Sequence, residues 1–379
     1  MYISMLIAVF QALTLLPGGL GSHYVAVNGT HFVHNGERLF MSGVNQPFLR
    51  YGEDFGNGGF QKGINGFRST FRFLQENGGN SVRMWVYADA QHEPRFDSIG
   101  HAFLPTDFIS DMKAFLHEAQ KHNVLVNFVF WNGARSLKNP HVHGLFTDDS
   151  KMAAYLDRVL KPIASALKDE PALLSYEIIN EPEGLMQTGH HDDHRCYDSS
   201  KFHKPLAGWT GQQIPMRHLL RFIAKQADAI HVVDPKALVT VGSWGYTANS
   251  DVYGTNFYSD SCLKEASGTD RGHLDYYQIH TYQTSTHQYR DGSPFTVPMN
   301  RYNLDKPVII GEFSQASGAG HSSHQQYTWA YYHGYSGAWS WAYLHLDDVS
   351  DNHSVIQEGL HATRHKNEQA YGGRVSVDL

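Results

Sequence analysis

Eight short apolar runs, set apart by stretches of helical periodicity, constrain this chain more than any other feature. They are Leu39–Val44, Ser81–Val86, Val124–Phe130, Leu173–Ile179, Leu238–Val241, Tyr276–Ile279, Val308–Ile310 and Ala338–Trp341. Strands joined through helices pair in parallel, because a parallel crossover needs a dozen residues or more. Eight such units close a barrel, so the expected fold is a single-domain α/β protein, a (β/α)8 TIM barrel. The residues that finish the runs are Asn45, Arg83, Trp131, Glu181, Ser243, His280, Glu312 and Trp341, separated by 38, 48, 50, 62, 37, 32 and 29 positions. Those are βα-unit spacings, and the strand ends are where barrel enzymes keep their chemistry. A doubly wound open sheet is the runner-up, but no G-x-G-x-x-G or P-loop pattern follows any strand.

The helical stretches carry apolar faces. Phe108, Met112, Phe115 and Ala119 form one. Met152, Tyr155, Val159 and Ile163 form a second, in which Pro162 predicts a kink. Met216, Leu219, Ile223 and Ile230 form a third, opened by Pro215. Ahead of the first run, Tyr24–Val27 and His31–Val33 alternate around Asn28-Gly29, a hairpin signal that predicts a small plug on the barrel floor.

Residues 1–21 hold an apolar stretch too short to span a bilayer, followed by Pro17 and small residues, and read as a signal peptide. The catalytic barrel then occupies residues 22–379. Secretion makes an oxidising setting, in which Cys196 and Cys262, the two cysteines, are expected to form a disulfide. Asn28-Gly29-Thr30 and Asn352-His353-Ser354 match the N-glycosylation pattern, in keeping with an extracellular protein. A net charge of −7 without a basic run argues against a nucleic-acid partner, and no later segment is apolar enough for a membrane. Aromatic residues at 13% suit a sugar cleft, since the apolar face of a pyranose stacks on flat rings.

Two strand ends carry the sharpest local signals: Ile178-Ile179-Asn180-Glu181-Pro182 and Val308-Ile309-Ile310-Gly311-Glu312-Phe313. Breaking a glycosidic bond needs acid help for a poor leaving group and a carboxylate to meet an oxocarbenium-like carbon. Two glutamates across one barrel mouth supply both, and a separation of about 5–5.5 Å predicts retention of configuration.

On these motifs the chain resembles glycoside hydrolase family 5, of clan A. The resemblance implies Glu181 as acid/base and Glu312 as nucleophile, with Asn180 holding the sugar 2-hydroxyl. It implies that Arg83, in Val82-Arg83-Met84-Trp85, keeps the nucleophile ionised. It also implies that Tyr282, near His280 in Ile279-His280-Thr281-Tyr282, bonds to the nucleophile, and that Trp341 lies under the sugar at the scissile bond. One departure stands out: where many members have a His after strand three, this chain has Trp131-Asn132. Trp131 and Trp244, both at strand ends, are read as further cleft walls, and Trp85 shares the inward parity of Arg83.

Within the family, Val82–Val86 and Asn127–Gly133 resemble the animal, mollusc-type endo-β-1,4-mannanases, so mannan, glucomannan or galactomannan is the expected partner. A cellulase or a transglycosylase is the alternative. A non-catalytic carbohydrate-binding barrel is disfavoured, because both glutamates are present. No cofactor or metal is expected, and a monomer is. The His190, His191, Asp192, Asp193, His194 run lacks the i,i+4 spacing of a hydrolytic zinc site and reads as a solvated loop. No G-x-S-x-G elbow or H-E-x-x-H motif competes.

Overall fold

A computed structural model describes residues 24–133, 136–202, 214–283 and 290–379. The expected signal peptide, residues 1–21, lies outside the described residues. Eight strands form a closed barrel: β1 (Met41–Asn45), β2 (Ser81–Trp85), β3 (Leu125–Asn132), β4 (Leu173–Asn180), β5 (Val239–Ser243), β6 (Tyr277–His280), β7 (Val308–Phe313) and β8 (Gly337–Ser340). Each pairs in parallel with its sequence neighbour, and β8 closes on β1 through Gly337–Met41 to Ser340–Val44. Every residue of β1, β2, β3, β5, β6, β7 and β8 is buried. That explains the near-continuous apolar runs, since a parallel sheet covered on both sides has no solvent face to alternate with.

The barrel is wrapped by helices, among them α1 (Gly59–Asn77), α2 (Phe108–Gln120), α3 (Pro140–Thr147), α4 (Asp149–Tyr155), α5 (Lys161–Leu167), α6 (Met216–Val233), α7 (Asp260–Ser267), α8 (Ser323–Tyr332) and α9 (His353–Thr363). Phe108, Met112, Phe115 and Ala119 are buried on α2, and Met216, Leu219, Ile223 and Ile230 on α6, as their spacing predicts. The irregularity expected at Pro162 takes the form of a break in the helical ladder. A π turn at Leu156–Leu160 joins α4 to α5, and Pro162 falls in the first turn of α5, where its missing N–H costs no helical bond.

The N-terminal hairpin is present, Ala26–Asn28 against His31–His34 with Asn28 opposite His31. It continues through Glu37–Leu39 and is extended by Gly373–Arg374 and Asn367–Glu368. Leu39, read as the start of the first barrel strand, belongs to this small sheet instead. Phe32, Leu39, Leu125, Leu174, Tyr276 and Trp339 pack there as an apolar floor under the barrel. Cys196 and Cys262 form a disulfide, with Cα atoms 5.3 Å apart, tying the loop after β4 to α7. Among the described residues, no helix is long and apolar enough to cross a membrane.

Candidate active site

Above the apolar floor the barrel interior is charged. Arg83 on β2 is fully buried and binds Glu177 on β4 through two parallel bonds, Nε to Oε2 at 2.8 Å and Nη2 to Oε1 at 2.6 Å. Its remaining donors reach Asn45 Oδ1 (2.9 Å), Asn180 Oδ1 (2.6 Å) and Glu312 Oε1 (2.5 Å). Glu177 is saturated in turn by Asn127 Nδ2 at 2.8 Å and Gln278 Nε2 at 2.7 Å. Burial works against the Arg83 cation, but Glu177 and then Glu312 more than offset it, and its pKa is raised. A buried charge survives only when paired and hydrogen-bonded, and this guanidinium has a partner on nearly every donor. Two glycines make room for the layer. A Cβ on Gly242 would lie 2.3 Å from Glu177 Oε1, and one on Gly311 would lie 2.4 Å from Gln278 Oε1.

One layer higher, Glu181 and Glu312 face each other across the mouth. With His280 they form a cluster whose facing atoms all lie within 4.8 Å. Nδ1 of His280 is 2.9 Å from Glu181 Oε1 and 3.5 Å from Glu312 Oε2. Tyr282 donates its hydroxyl to Glu312 Oε2 at 2.9 Å. Burial pushes the Glu312 carboxyl up to about 7, while the charge of Arg83, the Tyr282 bond and the Arg83 bond pull it back. Burial, reinforced by the Arg83 cation, holds His280 well below the usual histidine range, so its ring is neutral. Glu181 sits in the left-handed region, φ 49° and ψ 56°, with its N–H donated to the Gly242 carbonyl at 2.5 Å. That conformation costs a non-glycine residue about 1 kcal/mol or more, and such strain gathers at functional sites.

These groups open into a cleft of about 540 Å³, within the range of small-ligand sites. Asn180, Glu181, His280, Tyr282, Glu312, Trp244 and Trp341 all line it, so the structure brings together most of the residues singled out from the sequence. Trp85 also lines it, its ring 6.1 Å from that of Trp341. Trp341 donates Nε1 to Asp347 Oδ2 at 3.2 Å, which fixes the plane of its indole. Trp244 is held by Glu183, which accepts the Trp244 backbone N–H at 2.9 Å, Ser243 Oγ at 2.5 Å and the Tyr258 hydroxyl at 2.7 Å.

Trp131 is a correction. It is completely buried on the outer side of β3, its Nε1 bonded to Gln226 of α6 at 3.0 Å and its ring against Tyr87, Tyr155 and Phe222. Successive side chains on a strand point to opposite faces, and here Asn132, the next residue, faces the cleft and meets Asn180 at 3.3 Å. The sequence left the third-strand contact open between Trp131 and Asn132, and gave no place to Glu177 or Asp347. Glu177 carried a signal, because an acid inside a buried apolar run calls for a cation inside another, and Arg83 is such a cation. In the histidine-rich loop, Asp192 pairs with Arg217 at 3.6 Å, and His191 lies 3.6 Å from Asp193 and 3.8 Å from Asp198.

The family described as cellulase (glycosyl hydrolase family 5) matches residues 52–347. The mannan endo-1,4-beta-mannosidase of Mytilus edulis is 41% identical over 358 residues, covering 94% of this chain and 95% of its own. That of Cryptopygus antarcticus is 38% identical over 367 residues, with the same coverage. Among solved structures, the endo-1,4-beta-mannanase of Eisenia fetida superposes with a TM-score of 0.90 at 40% identity, over 94% of this chain and 99% of that one. The beta-mannanase of blue mussel Mytilus edulis gives 0.89 at 39% identity, again over 94% and 99%. The charged interior, the facing glutamates and these likenesses agree: the chain belongs to glycosyl hydrolase family 5.

Proposed function

We propose that this protein is an endo-acting β-1,4-mannanase that cleaves mannan-type polysaccharides with retention, Glu312 serving as nucleophile and Glu181 as acid/base. The observation that carries the reading is the approach of the two carboxyl groups, whose facing oxygens lie within 4.8 Å. A retaining pair sits about 5–5.5 Å apart, whereas an inverting pair needs about 6.5–9.5 Å to admit a water.

In the first step Glu312 attacks the anomeric carbon as Glu181 protonates the departing glycosidic oxygen. A glycosyl ester forms and the leaving chain departs as an alcohol. In the second step Glu181, now a carboxylate, takes a proton from water. The hydroxyl adds to the anomeric carbon, and Glu312 leaves as the free anion. Arg83 and Tyr282 favour that anion through the bonds at 2.5 and 2.9 Å. Once Glu312 is esterified its charge is gone, and Glu181, having given up its proton, is free to serve as the base. Trp341 offers a flat apolar floor to the sugar, and Asn180 a polar group beside the 2-hydroxyl.

The choice of mannan rests on the names of the relatives, which are alike across the Mytilus edulis, Cryptopygus antarcticus and Eisenia fetida proteins. Secretion is supported by the apolar N-terminal stretch and by the Cys196–Cys262 disulfide, which persists in oxidising compartments. Reducing-end release from unsubstituted mannan, compared with soluble cellulose, tests the substrate. Faster release from the cellulose overturns it.

A further inference from the structure

A second cluster lies at the opposite end of the barrel from the cleft. His231 is in the last turn of α6, and His273 and Asp275 lie in the segment that enters β6. Their facing ligand atoms all lie within 4.8 Å of one another. His231 Nε2 is 3.1 Å from Asp275 Oδ2, and His273 Nε2 is 3.7 Å from Asp275 Oδ1. The two rings stack, with centroids 4.6 Å apart and planes 20° from parallel.

The outer nitrogens of both rings are already assigned by their partners. His231 Nδ1 faces the Arg271 carbonyl at 2.7 Å, and His273 Nδ1 faces the Asp270 carbonyl at 2.9 Å. A carbonyl oxygen only accepts, so each Nδ1 carries a hydrogen. In a neutral ring the Nε2 is then a bare lone pair. Two such lone pairs face the two oxygens of one carboxylate, an arrangement of acceptors that calls for a proton or a metal ion between them. A single proton on His231 satisfies its 3.1 Å approach to Asp275 Oδ2 but leaves His273 Nε2 3.7 Å from Asp275 Oδ1, beyond hydrogen-bonding distance. One divalent metal ion satisfies all three groups at once. Nδ1–H donated to a backbone carbonyl is also how metal-bound histidines are held in orientation. For a four-coordinate zinc with bonds of about 2.0–2.2 Å, ligand atoms stand roughly 3.3–3.6 Å apart, so a set lying within 4.8 Å needs only a small inward shift to close on an ion. The neighbouring Arg271 is turned to Asp228 at 3.1 Å rather than to Asp275.

We infer that His231, His273 and Asp275 form a binding site for one divalent transition-metal ion of the zinc class, with the fourth position open to water. His231 is buried, while His273 and Asp275 are partly exposed and give the ion and its water an entry. Asp275 Oδ2 also accepts the Val239 N–H at 2.8 Å, so the ion ties the end of α6 to the starts of β5 and β6. Its role is to staple the barrel floor, apart from the chemistry of the cleft.

The test uses the full chain, stripped with a chelator and titrated with Zn²⁺ by calorimetry, with thermal unfolding and mannan hydrolysis measured alongside. The expected result is one equivalent bound and a Tm raised by about 5 °C at roughly 100 times the Kd. His273→Gln and, independently, Asp275→Asn should abolish both while leaving hydrolysis unchanged. Co²⁺ in the unaltered chain should show the visible bands of a four-coordinate nitrogen–oxygen set, a readout that does not depend on either variant folding. Absence of stoichiometric binding or of those bands overturns the proposal. So does zinc that still binds both variants and depresses hydrolysis, which assigns it to Glu181, His280 and Glu312.

Discussion

The two ends of the barrel are built on opposite terms. At the floor, Phe32, Leu125, Leu174, Tyr276 and Trp339 pack side by side, and the hydrogen bond of Trp339 Nε1 to Ser81 Oγ at 2.9 Å meets its polar need. At the mouth, buried Glu181 is hydrogen-bonded to one neutral histidine and buried Glu312 lies 3.5 Å from the same ring nitrogen, and Glu181 is held in left-handed backbone. The floor puts apolar area out of water, whereas the mouth buries two facing carboxyl groups, and that burial pushes the Glu312 carboxyl up to about 7. Between them the Arg83–Glu177 pair insulates one from the other: it neutralises itself and has a donor left for Glu312. Stability and reactivity are thus separated along the barrel axis, and substitutions at the two ends should fail in different ways.

The largest expected effect is at the mouth. Glu312→Ala and Glu181→Ala should each lower kcat on mannan by on the order of 10³-fold or more, with Tm unchanged or raised, because each removes a buried carboxyl group along with its chemistry. Turnover near that of the unaltered enzyme in either variant breaks the assignment. At the floor, Leu174→Ala should cost about 2–5 kcal/mol of stability by denaturant unfolding and leave kcat/KM intact at low temperature. A matching loss of kcat/KM would show that the two ends are coupled. Arg83→Met tests the insulating layer. It strands Glu177 and Glu312 in the interior, so about 3–5 kcal/mol of stability and most of the activity should go together.

A smaller effect separates charge from packing. Glu312 must be an anion to attack, so kcat/KM should fall as the pH drops through the value to which burial raises it. The Tyr282 bond lowers that value, so Tyr282→Phe should move the acid limb to higher pH and cost about 10-fold at the plateau. An unmoved limb means the hydroxyl does not act through Glu312. Smallest of all, Trp131→Phe should lose the Gln226 bond and about 1–2 kcal/mol of stability with KM unchanged, while Trp341→Phe should raise KM. A raised KM in Trp131→Phe would return that residue to the cleft.

Much of this architecture is legible in the chain. Apolar run, helical stretch and strand-end residue recur eight times, and Asn180-Glu181 and Gly311-Glu312 stand at the fourth and seventh ends. Two features escaped for definable reasons. The end of β3 turned on parity: a run that is apolar on every residue does not say which side faces inward, so Trp131 and Asn132 were interchangeable until β3 was paired with β2 and β4. Pro162 announced an irregularity, but not the π turn one turn before it, because how the freed backbone groups are accommodated depends on what packs against the helix.

What this sequence determines alone is set by local periodicity and chain order: the element types, the eightfold alternation, and which residues stand at strand ends. Those properties depend on neighbours a few positions away. What the tertiary structure decides is which of the buried groups meet. Arg83 finds Glu177, 94 residues later, and Glu312, 229 residues later, and His231 finds Asp275 across 44. The physical reason is that a charge or lone pair is satisfied by whatever lies within about 3 Å, and only closure of the barrel brings residues so distant along the chain into that range.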